Sequence, residues 1–526
     1  MKKKILSGLI GVIAVATVLT SCKKALDLQP TNDVTADRAY SSAAGYKEGF
    51  AKVYGAFALT GNQGPAGMPD VQAVDEGTSD FLRLFWKAQE LSTDEAVIAW
   101  GDVGIQDFHN MNWSSSNPFL KGLYYRSTYQ ITLANEFIRQ SADDKLASRG
   151  ITGNDATNIR QYRAEARFLR AFQYWVLLDM FGHAPFVTEN DLIGTTPKQA
   201  DRKTLFNYVE SELKAIDGSL AAPKTNEYGR ADQAADWALL ARLYLNAEVY
   251  TGTARYTDAI TYSKKVIGAG YSLISNYQQL MLADNQQNTS EFIFTINYDG
   301  LHTQNYGGTT FLVHAAVGGS ENASNFGIGG GWGGTRTTKA FVGLFPDVTG
   351  AADKRAQFYT NGQDLEIKDQ SSFTEGYAIT KYRNVTRTGA LGQSLDYCDV
   401  DFPLFRLPEM YLIYAESVLR GGTGGDAATA LSYVNLIRTR AYGDASGNVA
   451  SLSLNFILDE RARELYWEGF RRTDLIRFGK FTDASYVWPW KGGVAAGKGV
   501  ESFRVLYPIP ADDLTANPNL TQNTGY

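Results

Sequence analysis

Three kinds of side chain in this sequence could do chemistry on a polar ligand: closely spaced carboxylates, histidines, and aromatic residues stranded among turn formers. Adjacent acids occur at Asp75-Glu76, at Asp94-Glu95 and at Asp399/Asp401. A glycosidase needs two carboxyl groups about 5–5.5 Å or about 6.5–9.5 Å apart across the scissile bond. A chain with 56 acidic residues also brings acids side by side as solvated groups or helix caps. The four histidines, His109, His183, His302 and His314, show neither H-E-x-x-H spacing nor a cysteine partner. That disfavours a catalytic zinc and leaves a structural metal open. There is no G-x-S-x-G motif, and the glycine run 329–334 is not followed by the Gly-Lys-Ser/Thr of a phosphate loop. The residues imply no cofactor.

The aromatic residues suit binding better. They make up 13% of the chain. A pyranose ring presents a flat C–H face edged by hydroxyls, so it calls for an aromatic plane below and hydrogen-bonding groups around the rim. Trp332 stands between Gly331 and Gly333 in a polar loop expected to be flexible, with few sequence neighbours to bury it. Tyr306 in NYGG and Trp100 before Gly101-Asp102 are weaker candidates. For all three the competing use is core packing.

Helices must position these loops. In residues 161–187, Phe168, Leu169, Phe172, Trp175, Val176 and Leu177 form one apolar helical face. Arg160, Arg163, Arg167 and Arg170 are expected to keep the other side wet, and Gly182 and Pro185 to stop the helix. Helical patterns also cover 36–59, 118–140, 205–216, 231–250, 256–267, 408–420, 427–442 and 454–468, while 61–113 reads as irregular. The pair LLARLYLNAEVY…YTDAITYSKKVIGAG resembles a tetratricopeptide hairpin. The expected fold is therefore mostly α: tetratricopeptide-like hairpins forming a scaffold, with a loop-rich insert at about 276–403 carrying short strands and the ligand site. Strands are expected in EFIFTINYDG and NYGGTTFLV.

Fifty basic against 56 acidic residues, a net charge of −6, give no reason to expect nucleic acid. Lys2, Lys3 and Lys4, an apolar run and Leu19-Thr20-Ser21-Cys22 read as a lipoprotein signal (1–21). Cys22 is then the lipidation site, 22–35 a lipidated tether and 36–526 a single domain. With Cys22 consumed, Cys398 has no partner for an internal disulfide.

Several blocks, in order, resemble the SusD/RagB family of glycan-binding lipoproteins of the Bacteroidetes outer membrane. They are AEARFLRAFQYWVLLDMFGHAPFV, DFPLFRLPEMYLIYAESVLR, ALSYVNLIRTRA, LDERARELYWEGFRRTDLIRFGKF and the terminal YPIPADDLTANPNLTQNTGY. VDEGTSDFLRLFWKAQELSTDEAVIAW and FTDASYVWPWKGG look most like its starch-binding founding member. There, two tryptophans and a tyrosine form an arc that cradles the curve of an α-1,4-glucan. The matching positions are Trp100 in DEAVIAW, Tyr306 in NYGG and Trp332 in GGGWGG. Asp75 in VDEG and Arg83 in FLRL match the groups at the rim, where charged partners make the stronger hydrogen bonds. Two positions depart from that member: Ile98 replaces a tryptophan, and Val103, beside Asp102, replaces an asparagine.

The resemblance implies non-enzymatic binding of starch or malto-oligosaccharides at the cell surface. It also implies a lipid anchor on Cys22 in the outer membrane, facing outward, and delivery to a TonB-dependent outer-membrane transporter (SusC-like). The alternatives are another glycan or a peptide on the same scaffold and, from a different class, a surface glycoside hydrolase.

Overall fold

The computed structural model describes residues 35–526 apart from 62–63, 65–68, 72–78 and 193. Cys22, most of the expected tether, Asp75 and Glu76 lie outside the described residues. The principal helices are α1 (Ala43–Ala58), α2 (Phe81–Glu90), α3 (Pro118–Gln140), α4 (Gly153–Met180), α5 (Arg202–Ile216), α6 (Gln233–Leu245), α7 (Tyr256–Ile267), α8 (Gly308–Ala315), α9 (Leu407–Leu419), α10 (Ala427–Tyr442), α11 (Leu454–Leu465) and α12 (Arg471–Arg477). The strands are short and pair antiparallel in twos: β1 (Val97–Ile98) with β5 (Thr335–Arg336), β2 (Ala184–Phe186) with β3 (Lys198–Ala200), β4 (Phe292–Ile296) with β8 (Phe402–Arg406), and β6 (Phe358–Tyr359) with β7 (Ala378–Ile379).

The fold is mostly α, as the periodicity requires. Helices pack largely against their sequence neighbours: α3 on α4, α4 on α5, α6 on α7, α7 on α9 and α9 on α10. Sequential hairpins of this kind are what a tetratricopeptide-like scaffold demands. Side-chain caps mark many helix starts. Asn117 accepts from Phe119 and Leu120 at α3, Asp232 from Ala234 and Ala235 at α6, and Asp426 from Thr429 at α10. Each satisfies N–H groups that the first turn leaves without a carbonyl partner.

The central helix α4 does not keep a wet face over its whole length. Arg170 is buried and pairs with Glu189 at 2.5 Å and Glu212 at 2.7 Å, while Arg167 reaches Glu212 at 2.8 Å. The reason is coverage: α1, α3 and α5 all pack on α4, so an arginine reading as solvent-facing meets acids from the loop after β2 and from α5. The helix stops as expected. Gly182 adopts φ +72° and donates to the carbonyl of Leu177 at 3.1 Å, a left-handed end that glycine permits.

Two local expectations are corrected. The segment NYGGTTFLV is not a strand; from Gly308 it is helix α8. All eight residues of α8 are buried, so packing overrides the strand preference of Thr, Phe and Val. Likewise 61–113 is not irregular throughout, because FLRLFWKAQE forms α2 with every residue buried. Its start signal is Asp80, whose carboxylate accepts from the Arg83 N–H at 2.9 Å. The expected strand in EFIFTINYDG is present as β4, and its partner β8 draws the two ends of the 276–403 stretch together.

Candidate functional site

The β1–β5 ribbon pairs Val97 with Arg336 and Ile98 with Thr335, and the Ala99 N–H extends it to the carbonyl of Gly334 at 2.8 Å. This short ladder brings the loop after β1, carrying Trp100, alongside the loop before β5, carrying Trp332. The indole N–H of Trp100 donates to the Trp332 carbonyl at 3.1 Å, and the ring centroids are 6.3 Å apart. Tyr306 approaches Trp332 from the other side, again 6.3 Å between centroids. The three aromatic residues singled out in the sequence thus stand side by side, Trp100 and Trp332 half-buried and Tyr306 37% exposed.

The tryptophan loop is pinned rather than flexible. The N–H groups of Trp332, Gly333 and Gly334 donate to the carbonyls of His314 (2.7 Å), Val317 (2.9 Å) and Ala315 (2.8 Å). These bonds fasten the loop to the C-terminal end of α8 and the turn just after it. Such close approach requires glycine: a Cβ at Gly331 would lie 2.2 Å from the Val317 oxygen, and one at Gly334 would lie 2.6 Å from the Trp100 ring. Beneath Trp332 the His314 imidazole stacks at 4.7 Å and 26°, its Nδ1 on the Gly330 carbonyl at 2.8 Å. Burial holds the His314 pKa below its usual value, so the support is a neutral ring.

Tyr306 is set by the start of α8. The Asp80 carboxylate that caps α2 also accepts from the Gly308 N–H at 2.7 Å, and a Cβ on Gly307 would strike Asp80 at 2.1 Å. One buried carboxylate therefore ties α2 to the Tyr306-Gly307-Gly308 turn. Burial raises the Asp80 pKa despite these hydrogen bonds.

Arg83 does not project from the rim. It is only 7% exposed; its guanidinium lies 4.8 Å from the Phe311 centroid and 5.6 Å from that of Trp100, and donates to the Tyr306 carbonyl at 2.8 Å. In this position it braces two members of the arc from behind. Asp102 is exposed beside Trp100, and Val103 is 85% exposed. Ile98 is fully buried in β1, its N–H donating to His109 Nε2 at 3.0 Å, so this position feeds the core and not the arc. His314, Asp80 and Tyr397, whose ring lies 5.8 Å from that of Tyr306, were not foreseen. Only Asp80, a capping residue before an apolar run, left a sequence signal.

The paired acids go elsewhere. Asp94 is buried against Arg471 (2.7 Å) and the Tyr486 hydroxyl (2.9 Å). Glu95 accepts from the Trp467 N–H at 3.1 Å. Asp399 and Asp401 are buried and accept backbone N–H groups from Gly300 and Tyr298, each at 2.8 Å. Among the described residues, no group of three or more His, Cys, Asp or Glu could hold a metal ion. Cys398 is a buried free thiol, and no described helix is long and apolar enough to cross a membrane.

Comparison with known proteins places the chain among relatives of matching architecture. Residues 351–526 match the family model described as "SusD family", and residues 73–245 match "Starch-binding associating with outer membrane". The chain is 36% identical to the starch-binding protein SusD of Bacteroides thetaiotaomicron, with 100% of both chains covered. Among solved structures it is similar to a SusD homolog from the same species, with a TM-score of 0.74 at 18% identity over 94% of this chain and 99% of that one. It is also similar to a surface glycan-binding protein A from that species in complex with laminarihexaose, with a TM-score of 0.67 at 20% identity over 91% and 98%.

Proposed function

This chain belongs to the SusD family of glycan-binding proteins, and we propose that it binds starch and malto-oligosaccharides without cleaving them. The observation that carries this is convergence: Trp100, Tyr306 and Trp332 come from segments about 26 to more than 200 positions apart and meet in one row of half-open rings. Such a row follows a curved glucan better than a flat one, because successive rings tilt by 44° and 61°. Asp102 at the Trp100 end, with Asp75, accepts hydrogen bonds from sugar hydroxyls; Arg83 holds Trp100 and Tyr306 in place. Binding through a shallow surface arc favours long or cyclic glucans over single sugars.

On this proposal residues 36–526 act as one domain. Cys22 carries the lipid that anchors it to the outer membrane facing outward, and the glucan passes to a TonB-dependent outer-membrane transporter. The different glycan in one structural relative, laminarihexaose, makes a β-glucan the competing ligand. Electrophoresis through gels containing soluble starch, laminarin or levan separates the two. Retardation by starch alone supports the proposal, and retardation by laminarin alone replaces it. Release of reducing sugar from starch would contradict the absence of catalysis.

A further inference from the structure

The row of rings does not end at Tyr306. Tyr397 lies beyond it, half-buried, with its centroid 5.8 Å from that of Tyr306 and the planes at 45°, a spacing and tilt like those between the other members. We propose that Tyr397 is a fourth sugar-stacking platform that extends the arc by one subsite and sets its preference for longer glucan chains. This rests on the α-glucan proposal above and names the residue that governs chain length within it.

The placement of Tyr397 is built into the same framework as the other three. The Cys398 N–H donates to Thr310 Oγ1 at 3.0 Å, and Thr309 Oγ1 donates to the Val400 carbonyl at 2.6 Å. Both threonines lie in the first turn of α8, the helix whose N-terminal glycines fix Tyr306 and whose C-terminal end holds the Trp332 loop. Two residues before Tyr397, the Leu395 carbonyl accepts the Gly329 N–H at 2.9 Å, joining this loop to the tryptophan loop. One short helix therefore carries three of the four rings at fixed spacing. Core packing does not account for Tyr397 in full, because it stays partly exposed and both Leu395 and Asp396 beside it are exposed. Asp396, the exposed neighbour of Tyr397 in sequence, supplies a charged acceptor for a sugar edge on this proposal.

The test is calorimetric titration of the full-length protein in detergent with maltotriose through maltoheptaose, beside Tyr397→Ala and Tyr397→Phe. In the wild type, affinity should climb as the chain lengthens. Tyr397→Ala should lose about three- to tenfold on maltoheptaose, the range one aromatic platform supplies, and less than about twofold on maltotriose. Tyr397→Phe should keep the gain with length, since the ring and not the hydroxyl carries it. Unchanged maltotriose affinity also shows that the variant is folded. Equal loss at every length, or maltoheptaose affinity equal to wild type in Tyr397→Ala, would overturn the fourth platform while leaving the three-ring arc standing. Absence of any α-glucan binding by the wild type would overturn both.

Discussion

At the scale of single residues, the arc depends on ring faces that can be removed and on rim groups that can be added. Val103 is 85% exposed, next to Asp102 in the loop that carries Trp100, and on the proposed arc an amide there would add a hydrogen bond to a sugar hydroxyl. Val103→Asn should tighten maltoheptaose binding about two- to tenfold, the net worth of one neutral hydrogen bond, with no change in melting temperature. Unchanged binding in the variant would show that the glucan does not pass this end. Ile98 offers no such gain, because it lies in the core; Ile98→Trp should instead overpack β1 and lower stability by about 1–3 kcal/mol in denaturant titration. Trp332 stands out in the sequence because glycines flank it, whereas Tyr306 and Trp100 are weak on local sequence and are marked by the family resemblance. Tyr397 and His314 were not legible, since nothing local distinguishes them and their place beside the arc is set by contacts reaching across the fold.

At the scale of elements, α8 and the glycine loop form one mechanical unit, with rings fixed because backbone N–H groups of the loop bond to the end of the helix and the turn just after it. Gly334→Ala puts a methyl group 2.6 Å from the Trp100 ring, which must then move. This variant should stay folded and lose about 1–3 kcal/mol of stability, and it should bind maltoheptaose more weakly than any substitution at an exposed helix position. Undiminished binding would mean that Trp100 does not need its present seat. Sequence periodicity found the long helices well: Pro118–Gln140, Tyr256–Ile267 and Ala427–Tyr442 begin and end where the pattern does. It missed α2 and misassigned α8, for different reasons. Short α2 alternates apolar residues with Arg83, Lys87, Gln89 and Glu90 but stands among turn formers, and the fold buries its polar side too; α8 carries no Asp, Glu, Lys or Arg, so no wet face marks it as a helix.

At the scale of the whole molecule, buried charge joins the N-terminal and C-terminal parts of the chain. Arg406 in β8 meets Glu464 at 2.5 Å, Glu468 at 2.7 Å and Glu291 at 3.0 Å, all buried. At the end of α2, Glu90 accepts from the N–H groups of Gly469 (2.6 Å) and Phe470 (3.1 Å) and lies against Glu95, with Lys381, Arg471 and Asp94 as the charged groups nearby. Burial pushes the Glu90 pKa up from 4.5 to about 7 and raises Glu95 well above its usual value, so the pair holds a proton at neutral pH. A carboxyl group with a raised folded pKa contributes its stability fully below its unfolded pKa and loses it as pH rises through the folded one. Glu90→Gln mimics the protonated acid and keeps an acceptor for both N–H groups. Its unfolding free energy relative to wild type, read by denaturant titration, should therefore rise between about pH 4.5 and about pH 7 and level off above, by up to about 1.4 kcal/mol per pH unit. Parallel curves would show that Glu90 does not titrate there.

No sequence pattern announces such a network, because its members are ordinary charged residues whose burial only the assembled fold decides. The central claim is that one row of aromatic rings makes this a receptor for α-1,4-glucan. The most direct measurement is calorimetric titration of wild type and Trp332→Ala with maltoheptaose and α-cyclodextrin, with laminarihexaose and levan oligosaccharides as controls. The arc predicts binding of the two α-1,4 ligands alone and a loss of about tenfold or more in the variant, which is about 1.4 kcal/mol or more for the lost indole face. Heat from laminarihexaose but not from maltoheptaose, or full affinity without Trp332, would contradict it.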